Sequence, residues 1–285
     1  LHDTPGLAPT VGVLTNLSPD HLDRYGSVDA YYADKALLYR NATPASRWVV
    51  NADEPRSRDL GMSAAGTRWA FSRQDRHAAA HYDAAMDALV LFGEPLVPRS
   101  ALPLLGWHNV ENTLAALLAV MVADEAHRSP AVRATLAEAA GTFRGLPHRL
   151  ELVADIAGVR WINDSKATNV MSARVAIEAM TQPTVVLLGG RHKGEPYTSL
   201  VTPLQHRAKL VIAYGEAEAL IAGDLEGHVP LARGGSSFDE IMQRARAAAG
   251  PGDAVLLAPA CSSFDMFTNY EARGEAFRRL ARQAS

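Results

Sequence analysis

The sequence predicts an α/β fold in which buried strands alternate with helices. Apolar runs such as TVGVLTN at residues 10–16 and TVVLLGG at residues 184–190 recur along the chain, and stretches with helical spacing of apolar residues separate them. Several of these runs end abruptly in polar or glycine-rich residues. This alternation is typical of a parallel sheet with helices on both faces, because parallel strands need crossover connections.

Composition limits the classes of function. The 285 residues are 48% hydrophobic and 21% charged, which is enough for one or two domains with ordinary cores. With 28 basic and 31 acidic residues, the net charge of −3 gives no electrostatic reason to expect nucleic acid or membrane as a partner. No apolar run reaches the roughly 18 residues of a membrane span, and no signal peptide is evident. We therefore expect a cytoplasmic protein.

The single cysteine, Cys261, excludes an internal disulfide and any cysteine cluster for a metal. A reducing compartment agrees with this, and we interpret Cys261 as a buried thiol.

A break in the helical pattern divides the chain. Gly145 and Pro147 interrupt it in RGLPHRLELV, so we predict one domain over residues 1–146 and a second over residues 147–285. The stretch from TRWAFS to Leu105 is predicted to form a small antiparallel patch. Because the chain begins at Leu1 and enters a strand within a dozen residues, we expect it to be a fragment of a longer protein.

Three polar loops follow apolar strands in the second half: NDSKATN, GGRHKGEP and PACSSFDMFTNY. In a doubly wound sheet, the loops at the carboxyl ends of the strands lie on one edge. We therefore expect Lys166, Thr168, Lys193 and Ser263 to converge on one cleft, with Ser263 at a helix start. An anionic ligand would explain the lysine in NDSKATN, although turn chemistry alone would explain its Asn, Asp and Ser.

Candidate residues in the first half each have two interpretations. Asp20, His21 and Asp23 follow a strand, as metal ligands would, but a helix-capping Asp would give the same pattern. Lys35 lies on the following helix, where a solvated lysine is the default expectation.

Two more candidates concern nucleotides. Asn112, in GWHNVENTLAA, could face a purine or belong to an ordinary helix start. Arg149, at the domain joint, could bind a phosphate or form a hinge salt bridge. The chain contains neither G-x-G-x-x-G nor G-x-x-x-x-G-K-[ST], and the first absence disfavours a Rossmann-type oxidoreductase.

Seven segments occur in an order that resembles the Mur ligases. They are NLSPDHLDRY, YYADKALLY, GWHNVENTLAA, FRGLPHRLE, WINDSKATN, LLGGRHKGE and LLAPACSSFDMFTNYEARG. The combination of LPHR with NDSKATN is specific, and within the family the resemblance is greatest to members that add D-glutamate. It implies the later part of a central ATP-binding domain, without its P-loop, followed by a complete Rossmann-like C-terminal domain that binds the amino acid.

The resemblance also implies roles for individual residues. The metal ligands would be His21 and Lys35, the latter as a carbamate. The contacts to ATP would be Asn112, Arg149, Asp164 and Lys166. The contacts to glutamate would be Thr168, Lys193, Ser263 and Tyr270. His21, Lys35 and Lys166 form the implied catalytic set.

The implied reaction joins D-glutamate to UDP-N-acetylmuramoyl-L-alanine through an acyl phosphate, with ATP and Mg²⁺, in a monomeric enzyme of peptidoglycan synthesis. Without the P-loop we expect the fragment to be inactive alone. Tyr270 stands where the family usually carries phenylalanine, which keeps L-glutamate open as the substrate. A non-catalytic module that binds glutamate or nucleotide is the alternative from another class.

Overall fold

The computed structural model describes residues 1–17 and 25–283. Its contacts divide the chain into two compact units, Leu1–Phe143 and Arg144–Ser285. The boundary predicted at residues 146 and 147 falls three residues later in the chain, within the same joint. Each unit is an α/β domain built on its own six-stranded sheet, as the sequence predicted.

The sheet of the first unit follows the order of the chain. Its strands are Val11–Leu14 (β1), Arg47–Asn51 (β2), Thr67–Ser72 (β3), Ala80–Asp83 (β4), Ala88–Leu91 (β5) and Glu94–Pro98 (β6). Strands β1 to β4 pair in parallel, whereas β4, β5 and β6 form an antiparallel meander. The prediction that TRWAFS belongs to the antiparallel patch was therefore wrong, because a strand's own alternation does not reveal the direction of its neighbours.

In the described residues of this unit, four α-helices accompany the sheet: Val28–Ala36 (α1), Pro55–Asp59 (α2), Trp107–Ala123 (α3) and Pro130–Thr142 (α4). Ser27 caps α1 by accepting a hydrogen bond from the Ala30 N–H at 3.1 Å. Leu114 and Leu118 of α3 are fully buried in one apolar cluster with Phe71 and Leu89 of the sheet. The helix thereby packs on the sheet, and its first residue, Trp107, contacts Arg73, which directly follows β3.

The sheet of the second unit has the spatial order β11-β10-β9-β12-β8-β7. These strands are Glu151–Ile156 (β7), Val159–Asn163 (β8), Thr184–Gly189 (β9), Ala208–Tyr214 (β10), Leu231–Arg233 (β11) and Ala254–Leu257 (β12). Strands β8 to β12 pair in parallel, and β7 forms an antiparallel edge. Ala157 and Gly158, both at positive φ, make the tight β7–β8 turn.

Among the described residues, four α-helices connect these strands, Val170–Glu178 (α5), Val201–Arg207 (α6), Glu218–Leu225 (α7) and Phe238–Ala248 (α8), and Tyr270–Arg282 (α9) follows the last strand. All six residues of β9 are buried, as expected for a central parallel strand covered on both faces. Within the described parts of the chain, no helix is long and apolar enough to cross a membrane.

Candidate ligand-binding loops

Three loops of the second unit leave the sheet at the same edge. They follow β8, β9 and β12, which are parallel neighbours in the order β9-β12-β8. Their carboxyl ends therefore lie side by side, where α/β sheets commonly bind ligands. The predicted residues Asp164, Lys166, Thr168, Lys193 and Ser263 all lie on these loops.

Lys193 and Thr168 meet across two of the loops. The Lys193 ammonium donates to the Thr168 hydroxyl at 3.5 Å. Lys193 is exposed and Thr168 is half-buried. A compact ammonium beside a hydroxyl can pair with and hydrogen-bond one carboxylate, so this part of the edge suits an anionic ligand.

Lys166 lies on the face of an aromatic ring. Its ammonium is 3.8 Å from the centroid of the Tyr270 ring, a cation–π contact that orients the cation. The same ring stands edge-on to the His148 imidazole, with centroids 6.1 Å apart. The structure thus joins Tyr270 directly to Lys166.

Ser263 lies in a turn and not at a helix start. Its carbonyl accepts hydrogen bonds from the N–H groups of Met266 and Phe267, and the residue is 2% exposed. Helix α9 begins only at Tyr270, because the Asn269 side chain caps it through the Ala272 N–H at 2.7 Å. The prediction that Ser263 lies at a helix start was therefore wrong.

The N-terminus of α5 is capped by two side chains. The Asn169 side chain accepts from the Ser172 N–H at 2.8 Å, and the Glu195 carboxylate accepts from the Val170 N–H at 3.1 Å. Glu195 belongs to the loop after β9 and Asn169 to the loop after β8. This capping fixes the two loops that carry Lys193 and Thr168 to one helix end.

Asp164 is a partly buried carboxylate directly after β8. Burial raises the pKa of its carboxyl to about 7, while the Leu150 N–H and the Arg149 charge lower that pKa by smaller amounts. The Leu150 N–H donates to the carboxylate at 3.3 Å. Arg149 is exposed, so it can meet an anion without losing a buried contact.

His148 anchors the joint to the sheet edge. Its backbone N–H donates to the Glu151 carboxylate at 3.0 Å, and the Asn163 amide donates to its Nδ1 at 3.0 Å. The His148 carbonyl accepts from the Lys166 N–H at 3.2 Å. A Cβ on Gly274 would lie 2.1 Å from Nδ1, so only glycine leaves room for this ring.

Sequence reasoning missed Arg273, which is fully buried and contacts all three loops. Its position carries a signal, because the helical spacing of Arg273, Phe277, Leu280 and Ala281 places the arginine on the apolar face of α9. A charged residue on such a face is rare unless polar groups satisfy it.

The buried interpretation of Cys261 is confirmed. Its sulfur lies 3.0 Å from the Tyr197 hydroxyl, and burial raises the thiol pKa to about 11. Such a thiol is a poor nucleophile at neutral pH.

The first unit holds the remaining candidates. The Lys35 ammonium lies 5.0 Å from the centroid of the Tyr31 ring, on a half-buried part of α1. Asn112 is exposed one turn into α3, and its amide donates to Asn109 at 3.4 Å. His21 lies outside the described residues, as do Asp20 and Asp23.

At the start of α3, the structure brings together an aromatic ring and a cation that the sequence did not single out. The Arg73 guanidinium is 5.3 Å from the Trp107 ring centroid and 3.5 Å from a Glu111 carboxylate oxygen. Burial raises the pKa of Glu111, and the Arg73 charge opposes that rise.

Relatives of known name cover nearly the whole chain. A ligase named UDP-N-acetylmuramoylalanine--D-glutamate ligase from Acidobacterium capsulatum is 41% identical over 98% of this chain. The protein of the same name from Salinibacter ruber is 37% identical over 95% of it. The chain spans 60% of the length of each of these two relatives.

Solved structures share the fold at low identity. A pseudomurein peptide ligase type C from Methanothermus fervidus has a TM-score of 0.72 at 17% identity, covering 97% of this chain and 64% of that one. MurF from Acinetobacter baumannii has a TM-score of 0.67 at 17% identity, with coverages of 95% and 59%.

Two family models divide the chain as the two units do. The Mur ligase middle domain matches residues 2–120, and the Mur ligase glutamate ligase domain matches residues 148–261. Together they account for most of both α/β units. The chain belongs to the Mur ligase family.

Proposed function

We propose that the protein carrying this chain joins D-glutamate to UDP-N-acetylmuramoyl-L-alanine with ATP, as a cytoplasmic step of peptidoglycan synthesis. The observation that carries the proposal is the meeting of Lys193 with Thr168 at a sheet edge that also holds Lys166 and Tyr270. The names of the relatives, which are 35–41% identical, support the choice of amino acid and acceptor.

The loops of the second unit suit a dicarboxylic amino acid. Glutamate carries two carboxylates, and each needs a cation or hydrogen-bond donors when water is removed. Lys193 and Thr168 would hold one of them. Ser263, on the neighbouring loop, and the ring of Tyr270 would bound the remainder of the substrate. A neutral amino acid would leave one of these anchors without a partner, and that loss is the proposed basis of selectivity.

Separate residues would serve the nucleotide and the transferred phosphoryl group. Lys166, held on the Tyr270 ring, would stabilise phosphate charge as it develops. Arg149 would contact phosphate and Asp164 the ribose, both in the second unit. In the first unit, Asn112 would face the adenine. His21 and a carbamate on Lys35 would hold Mg²⁺, which neutralises phosphate charge when bound.

The reaction activates a poor acylating agent. The carboxylate of the acceptor attacks the γ-phosphorus of ATP, which forms an acyl phosphate and releases ADP. The unprotonated amine of glutamate then attacks the acyl carbon to give a tetrahedral oxyanion. Its collapse expels phosphate and leaves an amide. Much of the rate would come from holding amine and acyl carbon together.

Titration of the ¹⁵N-labelled 285-residue chain with D-glutamate, L-glutamate and D-glutamine tests the amino-acid site. We expect D-glutamate to shift amide resonances in residues 163–168, 189–195 and 261–267. Lys193→Met should weaken its binding by about tenfold, since one charged hydrogen bond is lost. The matched control is Lys209→Met, near the amino end of β10, which should bind as the wild type does. Equal shifts with D-glutamine would contradict the proposed anchors.

A further inference from the structure

Arg273 has an unusual set of partners for a buried charge. Its side chain is fully buried, and its guanidinium makes five hydrogen bonds, all to uncharged oxygens. The acceptors are the Ser165 hydroxyl at 3.0 Å and carbonyl at 2.9 Å, the Cys261 carbonyl at 3.2 Å, the Ser262 carbonyl at 3.4 Å and the Gly189 carbonyl at 3.5 Å. A guanidinium has five N–H groups, so each can be satisfied.

The acceptors come from all three ligand-binding loops. Ser165 lies in the loop after β8, Gly189 ends β9, and Cys261 and Ser262 lie in the loop after β12. These are the segments that lead to Lys166 and Thr168, to Lys193, and to Ser263. One rigid planar group therefore sets the spacing of the loops. A lysine, with three donors on one nitrogen, could not hold the same acceptors.

The same network reaches Tyr270. The Ser165 hydroxyl accepts from Arg273 and donates to the Tyr270 carbonyl at 2.7 Å, so the ring under Lys166 is tied to the arginine through one side chain. Gly190 lies beside this network, because a Cβ there would clash with the Ser262 carbonyl oxygen and the Cys261 Cβ and would lie 3.1 Å from the Arg273 Nη1.

Arg273 is not paired with a carboxylate in the described part of the chain; Asp265, on the same loop as Cys261, accepts from the Glu216 N–H instead. Among the residues that the structure describes, no carboxylate oxygen lies within salt-bridge distance of the Arg273 guanidinium. Hydrogen bonds to carbonyls satisfy the donors but leave the net charge, which costs free energy in a buried place. An anion at the loops would recover part of that cost, because Coulomb interactions are strong where water is excluded.

We infer that Arg273 is a positioning residue that fixes the three loops relative to one another and gives the proposed glutamate site a buried positive charge. The inference rests on the proposed function for the identity of the ligand, and on the hydrogen bonds alone for the loops.

Two substitutions separate geometry from charge. Arg273→Met removes both the fork of donors and the charge, whereas Arg273→Lys keeps the charge. Arg279→Met is the matched control, because Arg279 is exposed on the same helix. Amide hydrogen exchange in the three loops is the first readout. We expect at least tenfold faster exchange in all three loops of Arg273→Met, with α9 still protected, and no change in Arg279→Met.

The second readout is the ratio of D-glutamate to D-glutamine affinity, which reports the charge when Arg273→Met is compared with Arg273→Lys, since both variants lose the fork of donors. We expect Arg273→Met to lower this ratio at least fivefold and Arg273→Lys to keep it within twofold of wild type. Wild-type exchange rates in Arg273→Met, or an unchanged affinity ratio in that variant, would overturn the inference.

Ser165→Ala covers the case in which Arg273→Met does not fold. This variant lacks the hydroxyl that accepts from the Arg273 Nε–H and donates to the Tyr270 carbonyl. We expect at least threefold faster amide hydrogen exchange in residues 189–191 and 261–263. Unchanged exchange in both segments would overturn the inference. If the wild-type chain binds no D-glutamate, the proposed function fails, while the exchange data still decide the role of Arg273.

Discussion

Asp164 lies half-buried at the carboxyl end of β8, and burial raises the pKa of its carboxyl from 3.8 to about 7. Below pH 3.8 the group is protonated in both the folded and the unfolded chain. Between pH 4 and pH 7 the unfolded chain ionises first, so the free energy of unfolding falls as pH rises. The full shift corresponds to about 4 kcal/mol, and partial solvation reduces the expected fall to roughly 2 kcal/mol.

Asp164→Asn should remove this component, since the amide oxygen still accepts from Leu150 but does not ionise. The measurement is urea unfolding of both proteins from pH 4.5 to pH 8. As pH rises, the unfolding free energy of wild type should fall relative to that of Asp164→Asn. Parallel curves would show that Asp164 does not titrate near pH 7.

Gly274 is the clearest steric constraint at the residue scale. Gly274→Ala would place a Cβ 2.1 Å from the buried His148 ring, so we expect a loss of about 2–4 kcal/mol in unfolding free energy. Gly223→Ala is the control, because Gly223 lies inside α7 and a Cβ added there would have no atom within 4 Å. That change should stabilise the protein by about 0.5–1 kcal/mol. Similar urea midpoints for the two variants would refute the constraint.

At the scale of the elements, the cap of α5 links local sequence to the site. Asn169→Ala should cost about 1 kcal/mol of local stability, because the Ser172 N–H loses its acceptor. Amide exchange at Ser172 should accelerate about fivefold. Ser129→Ala is the control, since the Ser129 side chain makes no capping hydrogen bond at α4. Equal effects in the two first turns would argue against the cap.

The elements differ in how far the sequence alone predicts them. Strand β8 and the polar loop after it follow from an apolar run that ends in NDSKATN, so both were predicted. The antiparallel edge β7 and the late start of α9 were not, because strand direction and loop conformation depend on distant partners. Arg273 was missed for the same reason: three of its five acceptors, on Ser165 and Gly189, lie 84 or 108 residues from it along the chain.

At the scale of the whole molecule, the second unit has a core of its own. One cluster contains the fully buried side chains Val185, Leu187, Ile212, Val255 and Phe277. They come from three of the central strands and from α9, and α8 packs against them. We therefore expect residues 144–285 to fold alone and to give a well-dispersed amide spectrum. A narrow amide dispersion, with exchange at unfolded rates, would show that this unit depends on the rest of the chain.

The central claim is that these loops select D-glutamate for an ATP-dependent ligation. It is tested most directly by release of ADP from ATP by the complete gene product in the presence of Mg²⁺ and UDP-N-acetylmuramoyl-L-alanine. The 285-residue chain, which we expect to be inactive alone, is assayed in parallel. D-glutamate should give the fastest release by the complete gene product, with L-glutamate and D-aspartate slower and neutral amino acids near background. Faster release with L-glutamate would contradict the stereochemical assignment, and equal release with a neutral amino acid would contradict the roles of Lys193, Thr168 and Ser263.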